Sequence, residues 1–268
     1  MQITTIWRYP VKSMLGEQIR EVGLAPGGVA YDRVFALIDS MTGKVATAKH
    51  PRLWKDLLKF SATVADSRVV ITSPSGWSVD ADDPMADELL SSALERPVHV
   101  SSERPHGATV ERPAPEDVLE QGVEAEVSAA TLEIGQGTPG STFVDYAPVH
   151  LITTATLNEI GTEYIRYRPN LVLETPPGTP PYVENDWIGR ELHFGAGAVV
   201  LRMVLPTPRC SVPVLEHGPL PRAPHAVRTL LTANRVDVPG FGVLPCAGGY
   251  AEVVQEGVVR VGDAVTIR

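Results

Sequence analysis

The chain has 268 residues, 43% hydrophobic and 21% charged, with a net charge of −9 at pH 7. This composition is that of a globular protein of one large or two compact domains and excludes general disorder. The acidic balance argues against duplex nucleic acid as a partner. No apolar run approaches the roughly 18–20 residues that span a bilayer, and the first residues read as a strand and not as a signal peptide. We therefore expect a cytoplasmic protein without a membrane partner.

Short valine-rich runs predict a chain built mainly of β-strands. Runs of four to eight residues bounded by Gly, Pro, Asp or Ser are typical of barrels and sandwiches. In chain order they are RVFALID, SRVVITS, RPVHVSS, PNLVLE, AVVLRMVLP and YAEVVQEGVVRVGDAVTIR. Helical patterns are confined to 82–96, 153–161 and 224–235. Together these patterns predict a β-rich α+β fold with a few peripheral helices.

The stretch 101–126 is polar, interrupted by prolines and without periodicity. Such composition is typical of a linker or a long exposed loop, so we place a domain boundary there. The chain contains no P-loop, GxGxxG, HExxH or CxxC motif.

Cysteine is used only twice, at Cys210 and Cys246. Two thiols cannot supply an ordinary iron–sulfur cluster or a Cys-rich zinc site, and the expected cytoplasmic location argues against a disulfide. Cys210 follows Arg209 in TPRCSV, where Pro208 favours a loop or bulge, and a neighbouring cation lowers a thiol pKa. The alternatives for Cys210 are a reactive thiolate and an inert buried residue. Cys246 is interpreted as a small core hydrophobe.

Three further segments carry residues suited to binding an anion. Lys12 and Ser13, in RYPVKSMLGE, suit an anionic oxygen or else form a solvated hairpin end. Arg33, in AYDRVFALID, either starts a strand and points to a ligand or makes a surface ion pair. Arg168 precedes a proline, which favours extended backbone and would place its side chain on one face with that of Asn170. That pair suits anion recognition, with a cross-strand salt bridge as the alternative.

Taken in order, these motifs resemble one family. The succession YPVKS, DRVFALID with TAKHPRL, DYAPVHLITTATL, YRPNLVLE with WIGRELHFG, PRC, then FGV and VRVGDAV spans nearly the whole chain. It resembles the MOSC superfamily, and more closely the two-domain group that contains the mitochondrial amidoxime-reducing component and its bacterial relatives.

The resemblance implies two β-barrel-like domains, a MOSC N-terminal β-barrel domain at 1–115 and a MOSC domain at 120–268. It also implies a molybdopterin-type molybdenum cofactor between them, with Cys210 as the protein ligand to the metal and the catalytic residue. The residues implied to bind the cofactor are Lys12, Ser13, Arg33, Asp145, Tyr146, Ala147, Arg168, Asn170, Pro208 and Arg209.

The function implied is an oxidoreductase that reduces small N-hydroxylated substrates by oxygen-atom transfer. Its electrons would come from an external ferredoxin-, flavin- or cytochrome-type donor, because the chain carries no haem, flavin or iron–sulfur motif of its own. One alternative is a sulfur-carrier or cofactor-carrier protein that uses Cys210 as a persulfide or docking thiol. Another is a β-rich binding domain without the cofactor.

Overall fold

A computed structural model describes all 268 residues, with 38% of them in strands and 21% in helices. This confirms the predicted β-rich α+β fold. The strands are β1 (Gln2–Arg8), β2 (Glu17–Ile19), β3 (Glu21–Ala25), β4 (Gly28–Val29), β5 (Ala36–Asp39), β6 (Ser61–Ala65), β7 (Arg68–Thr72), β8 (Ser78–Asp80), β9 (Val98–Ser101), β10 (Thr109–Pro113), β11 (Ala129–Glu133), β12 (Val149–Thr153), β13 (Leu171–Glu174), β14 (Glu191–Phe194), β15 (Val199–Pro208), β16 (Arg235–Val238), β17 (Gly242–Gln255), β18 (Gly257–Arg260) and β19 (Val265–Ile267). The α-helices are α1 (Pro51–Trp54), α2 (Met85–Ala93), α3 (Pro115–Gln121), α4 (Thr154–Ile160) and α5 (His225–Ala233).

Short 3₁₀ turns connect these elements. They span Lys55–Lys59, Tyr164–Tyr167, Val183–Trp187, Gly195–Gly197 and Val212–Val214. No helix combines the length and the apolar character that crossing a membrane requires.

The three predicted helices are present as α2, α4 and α5, each shorter than its sequence pattern. Helix α4 shows why its ends lie where they do. The Thr153 side chain accepts a hydrogen bond from the Thr156 N–H and caps the first turn. Gly161 ends the helix in the left-handed region at φ 70°, where glycine carries no steric penalty.

One large sheet forms the centre of the fold. Its strand order is β19-β14-β15-β17-β12-β13-β1-β2, with β16 also pairing to β17. Only the pairing between β12 and β13 is parallel; the rest are antiparallel. Because β1 and β2 join strands from the C-terminal half, the two ends of the chain share one sheet. A core of 18 buried side chains packs on it, with Ile6, Leu151 and Leu201 among them.

A second core of 14 buried side chains lies in the N-terminal half. It includes Leu57 and Ile71 of the region around the β6–β7–β8 sheet, and Leu90 of helix α2. The core of the large sheet also contains Ile3, Val22 and Leu24 from the N-terminal part, so the two cores do not divide the chain at one point, and the domain bounds 1–115 and 120–268 stay a prediction.

The prediction that 101–126 is a linker or exposed loop is wrong for much of its length. Residues 109–113 form β10, which pairs with β11, and residues 115–121 form α3. Val110 and Val118 are each only 1% exposed. The reason is tertiary: the apolar residues are too few for a periodic pattern, but the strand partner lies sixteen or more residues further on and buries them.

Candidate functional site

Residues from several strands and from the loops between them line a cavity of about 800 Å³, a volume that includes space open to solvent. Ten of the eleven predicted site residues line it, and they come from both predicted domains: Lys12, Ser13, Arg33, Asp145, Ala147, Arg168, Asn170, Pro208, Arg209 and Cys210. The sequence analysis missed the other lining residues, which are Thr47, Lys49, Arg112, Val144, His150, Arg166, Tyr167, Val212, Pro213 and Tyr250. Lys49 lies within the quoted motif TAKHPRL, so that motif was the available signal for it.

Lys12 and Ser13 are buried in the first-domain wall and do not form a solvated hairpin end. They are 5% and 7% exposed. The Ser13 hydroxyl accepts a hydrogen bond from the Ala48 N–H at 3.1 Å. The Lys12 ammonium donates to the Phe143 carbonyl and to Asp145 Oδ1, each at 2.7 Å. These contacts tie the first-domain loop to the segment before β12.

Two lysines hold the Asp145 carboxylate in its ionised form. Lys49 Nζ lies 2.8 Å from the same Oδ1 atom that Lys12 contacts. Burial opposes ionisation, but the charges of Lys12 and Lys49 outweigh it and hold the pKa of Asp145 well below its usual range. One carboxylate thus serves two cations, and a net positive charge is left at this wall.

The pKa of Lys12 is lowered to about 8, mainly by burial, against an ordinary value of 10.5; Asp145 opposes the shift, while Lys49 and Arg33 add to it. Between these two values the unfolded chain binds more protons, so this group's contribution to folding stability rises with pH. Anion binding has the opposite trend because it needs the ammonium form, which is present below about 8.

We expect the affinity of the cofactor-free protein for sulfate to fall as pH rises from 7 to 9.5. The fall should approach about tenfold per pH unit above 8, since each bound anion then takes up a proton at Lys12. Sulfate is the probe because its own charge is constant over this range. Calorimetric titration of wild type and of Lys12→Met with sulfate checks this prediction. An equal fall in sulfate affinity with pH in the variant would show that another group titrates.

Arg33 and Arg168 lie against the ring of Tyr9. Their Cζ atoms are 4.7 and 4.3 Å from its centroid, a cation–π distance. Arg33 does not start a strand: its φ is 48° in the turn before β5. It makes an ion pair with Asp32, but a buried one, since Asp32 is 1% exposed. Its Nη2 donates to the Arg168 carbonyl at 3.1 Å.

The prediction that Arg168 is extended and shares a strand face with Asn170 is wrong. Arg168 ends a 3₁₀ turn in the left-handed region, at φ 53° and ψ 48°. Hydrogen bonds stabilise this conformation: the Arg168 N–H donates to the Ile165 carbonyl within the turn, and the Arg168 carbonyl accepts from the distant Arg33 and lies 3.4 Å from the Nδ1 atom of His150. Both side chains still line the cavity, but by loop geometry and not by strand alternation.

The Arg168 guanidinium has a free donor at the cavity. Its Nη1 donates to the Met14 carbonyl at 2.6 Å, whereas Nη2 is buried with no partner. Burial, and then the neighbouring Arg33, lower the pKa of Arg168 to about 10. Buried donors are nearly always paired in folded proteins, so this nitrogen is suited to an anionic acceptor supplied by a ligand.

The side-chain amide of Asn170, in contrast, is hydrogen-bonded to protein backbone groups. Its Oδ1 accepts from the His150 N–H at 3.1 Å, and its Nδ2 donates to the Trp7 carbonyl at 3.3 Å. The side chain therefore bridges β12 to β1, and it is 1% exposed.

Arg209 is likewise held by protein groups. Its Nε and Nη1 donate to the Ala247 and Tyr167 carbonyls at 2.9 and 3.0 Å, and its Nη2 contacts His150 Nε2. A guanidinium has only donors, so His150 Nε2 must accept and its Nδ1 must carry the proton, which faces the Arg168 carbonyl. Burial and then Arg209 hold the pKa of His150 well below its usual range. The imidazole is neutral and positions Arg209.

Cys210 lies just beyond the end of β15, where the ladder to β17 is irregular between Pro206 and Pro208. The predicted loop or bulge at this position is therefore present. Cys210 is 9% exposed at the cavity wall and packs beside Leu58 and Leu215. Cys246, in contrast, is fully buried in a different cluster, and burial raises the pKa of its thiol to about 12.

Tyr146 is the predicted site residue that lies outside this cavity. It lines a neighbouring cavity of about 490 Å³. Its ring packs edge-on against Phe241 at 5.8 Å and lies 6.2 Å from Tyr250. Tyr146 thus lines only the second cavity, whereas its neighbour Ala147 lines only the first and Asp145 lines both.

The lining of the first cavity fits an anionic cofactor bound through a thiol. Seven lining side chains are Lys or Arg, whereas Asp145 is the single carboxylate. This cation excess lies in a chain of net charge −9, and one guanidinium nitrogen is left without an acceptor. No group of three or more His, Cys, Asp or Glu side chains is placed to hold a metal ion by itself. A metal here would need ligands from a cofactor.

The geometry thus defines a β-rich protein with a cation-rich cavity lined by residues from both halves of the chain. Comparison with known families agrees with this class: residues 1–101 match the MOSC N-terminal beta barrel domain, and residues 139–266 match the MOSC domain. The chain has the two-domain MOSC architecture and belongs to the MOSC superfamily. MOSC domains are associated in general with binding of the molybdenum cofactor.

No curated protein matches the chain. Among solved structures, it is similar to the YuaD protein from Bacillus subtilis, with 9% identity, a TM-score of 0.44 and coverage of 99% of this chain and 94% of that one. It is also similar to YiiM from Geobacillus stearothermophilus, with 15% identity, a TM-score of 0.31 and coverage of 60% and 72%.

Proposed function

We propose that this protein binds a molybdopterin-type molybdenum cofactor in the cation-rich cavity and reduces small N-hydroxylated compounds. The observation that carries the proposal is the lining itself: seven cations, one carboxylate and a single cysteine around one cavity. The motif resemblance to the amidoxime-reducing group supports the choice of substrate class.

The lining residues fall into two groups: those with a polar group still available to a ligand, and those whose polar groups are bonded to the protein. Arg168 has an unpaired nitrogen, and Lys12 and Lys49 share one carboxylate, so these three would hold the phosphate and other anionic groups. Arg209 and Asn170 are hydrogen-bonded to protein carbonyls and to His150, and would position the wall. Cys210 would supply a soft thiolate to the metal.

The cofactor, when bound, supplies a metal able to accept an oxygen atom and pass two electrons. The balance for a hydroxylamine is R₂N–OH + 2e⁻ + 2H⁺ → R₂NH + H₂O: the N–O bond breaks, nitrogen is reduced, and the oxygen leaves as water. Both electrons come from an external ferredoxin-, flavin- or cytochrome-type donor. The protein's cations bind and orient the cofactor, and its cavity wall shields the thiol, since Cys210 is 9% exposed.

Molybdenum and pterin analysis of protein made in a cofactor-competent host tests cofactor binding. Reduction of a panel of hydroxylamines, amidoximes and N-oxides with an artificial electron donor tests the reaction. Cofactor content near one per chain together with turnover supports the proposal. Full content without turnover on any member favours the alternative of a cofactor carrier, and absence of the cofactor contradicts both.

A sulfur carrier would keep its thiol accessible to a partner protein. Cys210 is buried against Leu58 and Leu215, which favours the reductase over that alternative. Persulfide formed on Cys210, detected by mass spectrometry after incubation with a sulfur donor, would reverse the preference.

A further inference from the structure

The second cavity shares a wall with the first. Its volume is about 490 Å³, including space open to solvent. Five residues line both cavities: Lys49, Arg112, Asp145, Pro208 and Tyr250. A molecule lying in the second cavity would therefore contact residues that also line the cation-rich cavity.

The second cavity differs from the first in its chemistry. Seven of its twelve lining residues are hydrophobic, and three of these are aromatic: Tyr146, Phe241 and Tyr250. Val110, Ile134 and Leu205 are buried and form its aliphatic side. Part of this wall is β10, in the segment that the sequence presents as a linker.

The aromatic side is held in place by backbone geometry. A Cβ added at Gly137 would come within 2.8 Å of the Tyr146 ring, so the glycine permits the ring to lie there. Phe241 lies at the tip of the β16–β17 hairpin, between Gly240 and Gly242, which have φ of 81° and 80°. Those left-handed positions favour glycine. Phe241 is 38% exposed, and its edge packs against Tyr146.

We propose that the second cavity binds the apolar, aromatic body of the substrate, with the reducible N–O group directed to the shared wall. This inference rests on the proposed function and names its substrate class: uncharged aryl N-hydroxy compounds, in preference to small aliphatic ones. A flat ring can pack against the surface formed by Tyr146, Phe241 and Tyr250, since aromatic contacts add to area burial. The N–O oxygen carries partial negative charge and would meet Lys49 and Arg112.

A matched ligand pair tests the subsite without turnover. Benzohydroxamic and acetohydroxamic acids have the same head group and differ in an aryl ring against a methyl group. Calorimetric titration of the cofactor-loaded protein should show the aryl compound binding at least about tenfold more tightly, a factor that corresponds to roughly 1.4 kcal/mol. Equal affinities for the two compounds would overturn the proposal.

The Phe241→Ala variant tests whether the preference for the aryl compound arises in the second cavity. It should reduce the ratio of the two affinities about fivefold to tenfold, with the acetohydroxamic acid affinity unchanged, because it removes one aromatic wall. Val243→Ala is the control: Val243 is on the same hairpin, 55% exposed and outside both cavities, so the ratio should not change. An unchanged ratio in folded Phe241→Ala protein would overturn the proposal.

The two proposals fail separately. Molybdenum content and turnover, measured on the same preparations, decide the proposed function. The affinity ratio decides the subsite, because wild-type protein that holds cofactor and reduces both compounds while showing no aryl preference would refute the subsite alone. A ratio that is high in wild type and lost in Phe241→Ala, in protein without turnover, would support the subsite and refute the reductase.

Discussion

Replacing Cys210 by serine should abolish reduction of N-hydroxylated compounds, with a loss greater than the 10–100-fold that is typical when a residue supporting a metal ligand is removed. A serine hydroxyl stays protonated near neutral pH and is a harder ligand than a thiolate. The fold should survive, since Cys210 lies at the cavity wall and the change removes no hydrogen bond recorded for it. We expect the melting temperature to change by no more than about 2–4 °C, or roughly 1 kcal/mol.

Cys246→Ser is the matched control for that experiment. Cys246 is fully buried, away from the cavity, and its Sγ lies 3.4 Å from the Leu244 carbonyl, a contact that a hydroxyl can keep. Activity per bound molybdenum should stay near the wild-type value. Wild-type turnover in Cys210→Ser would show that the thiol is not required. A comparable loss in Cys246→Ser would indicate a reaction that needs both thiols.

Arg168→Ala should weaken cofactor retention about tenfold to a hundredfold. A charge-assisted hydrogen bond is worth about 1.5–3 kcal/mol, and about 1.4 kcal/mol is a factor of ten in affinity. The cofactor-free protein should melt only slightly lower than wild type, because the loss of the Met14 hydrogen bond and of the Tyr9 contact is offset by removal of a desolvated cation beside Arg33. Arg168→Lys should restore only part of the retention, since an ammonium lacks the planar fork. The measurement is the pterin-to-protein ratio after long dialysis, beside melting of the cofactor-free form.

Arg166→Ala is the comparison variant, because Arg166 is an arginine of the same cavity with a structural role. Arg166 is 2% exposed and donates to the Leu215 and Pro221 carbonyls at 2.9 and 2.8 Å, and it pairs with Glu163. Its removal leaves the buried Leu215 carbonyl without a donor, at about 1–3 kcal/mol, and also loses the part-buried bond to Pro221, so the cofactor-free protein should melt lower. If Arg168→Ala instead melts many degrees lower and keeps its full cofactor load, Arg168 is structural.

The sequence by itself determined which segments reach the cavity. The residues around Lys12, Arg33, Asp145 and Arg168, and the PRC segment, could be recognised because each is a short local motif between predicted strands. The strands were recognisable for the same reason: alternation, turn residues and β-branched runs are properties of neighbouring residues. The β-rich fold followed from such local signals, whereas the ten lining residues followed from the order of the motifs along the chain, which resembles the MOSC superfamily.

The tertiary structure alone decided what each side chain does there. Arg168 is left-handed despite the proline after it, because Arg33 binds its carbonyl from a distant turn. Arg209 is bound by Ala247 and Tyr167 rather than free for a ligand, and Tyr146 faces a different cavity. Hydrogen bonds between residues far apart in the chain fix these directions. A local sequence pattern does not identify hydrogen-bond partners that are distant in the chain. The unpaired nitrogen of Arg168 and the aromatic second cavity can therefore be recognised only in the folded structure.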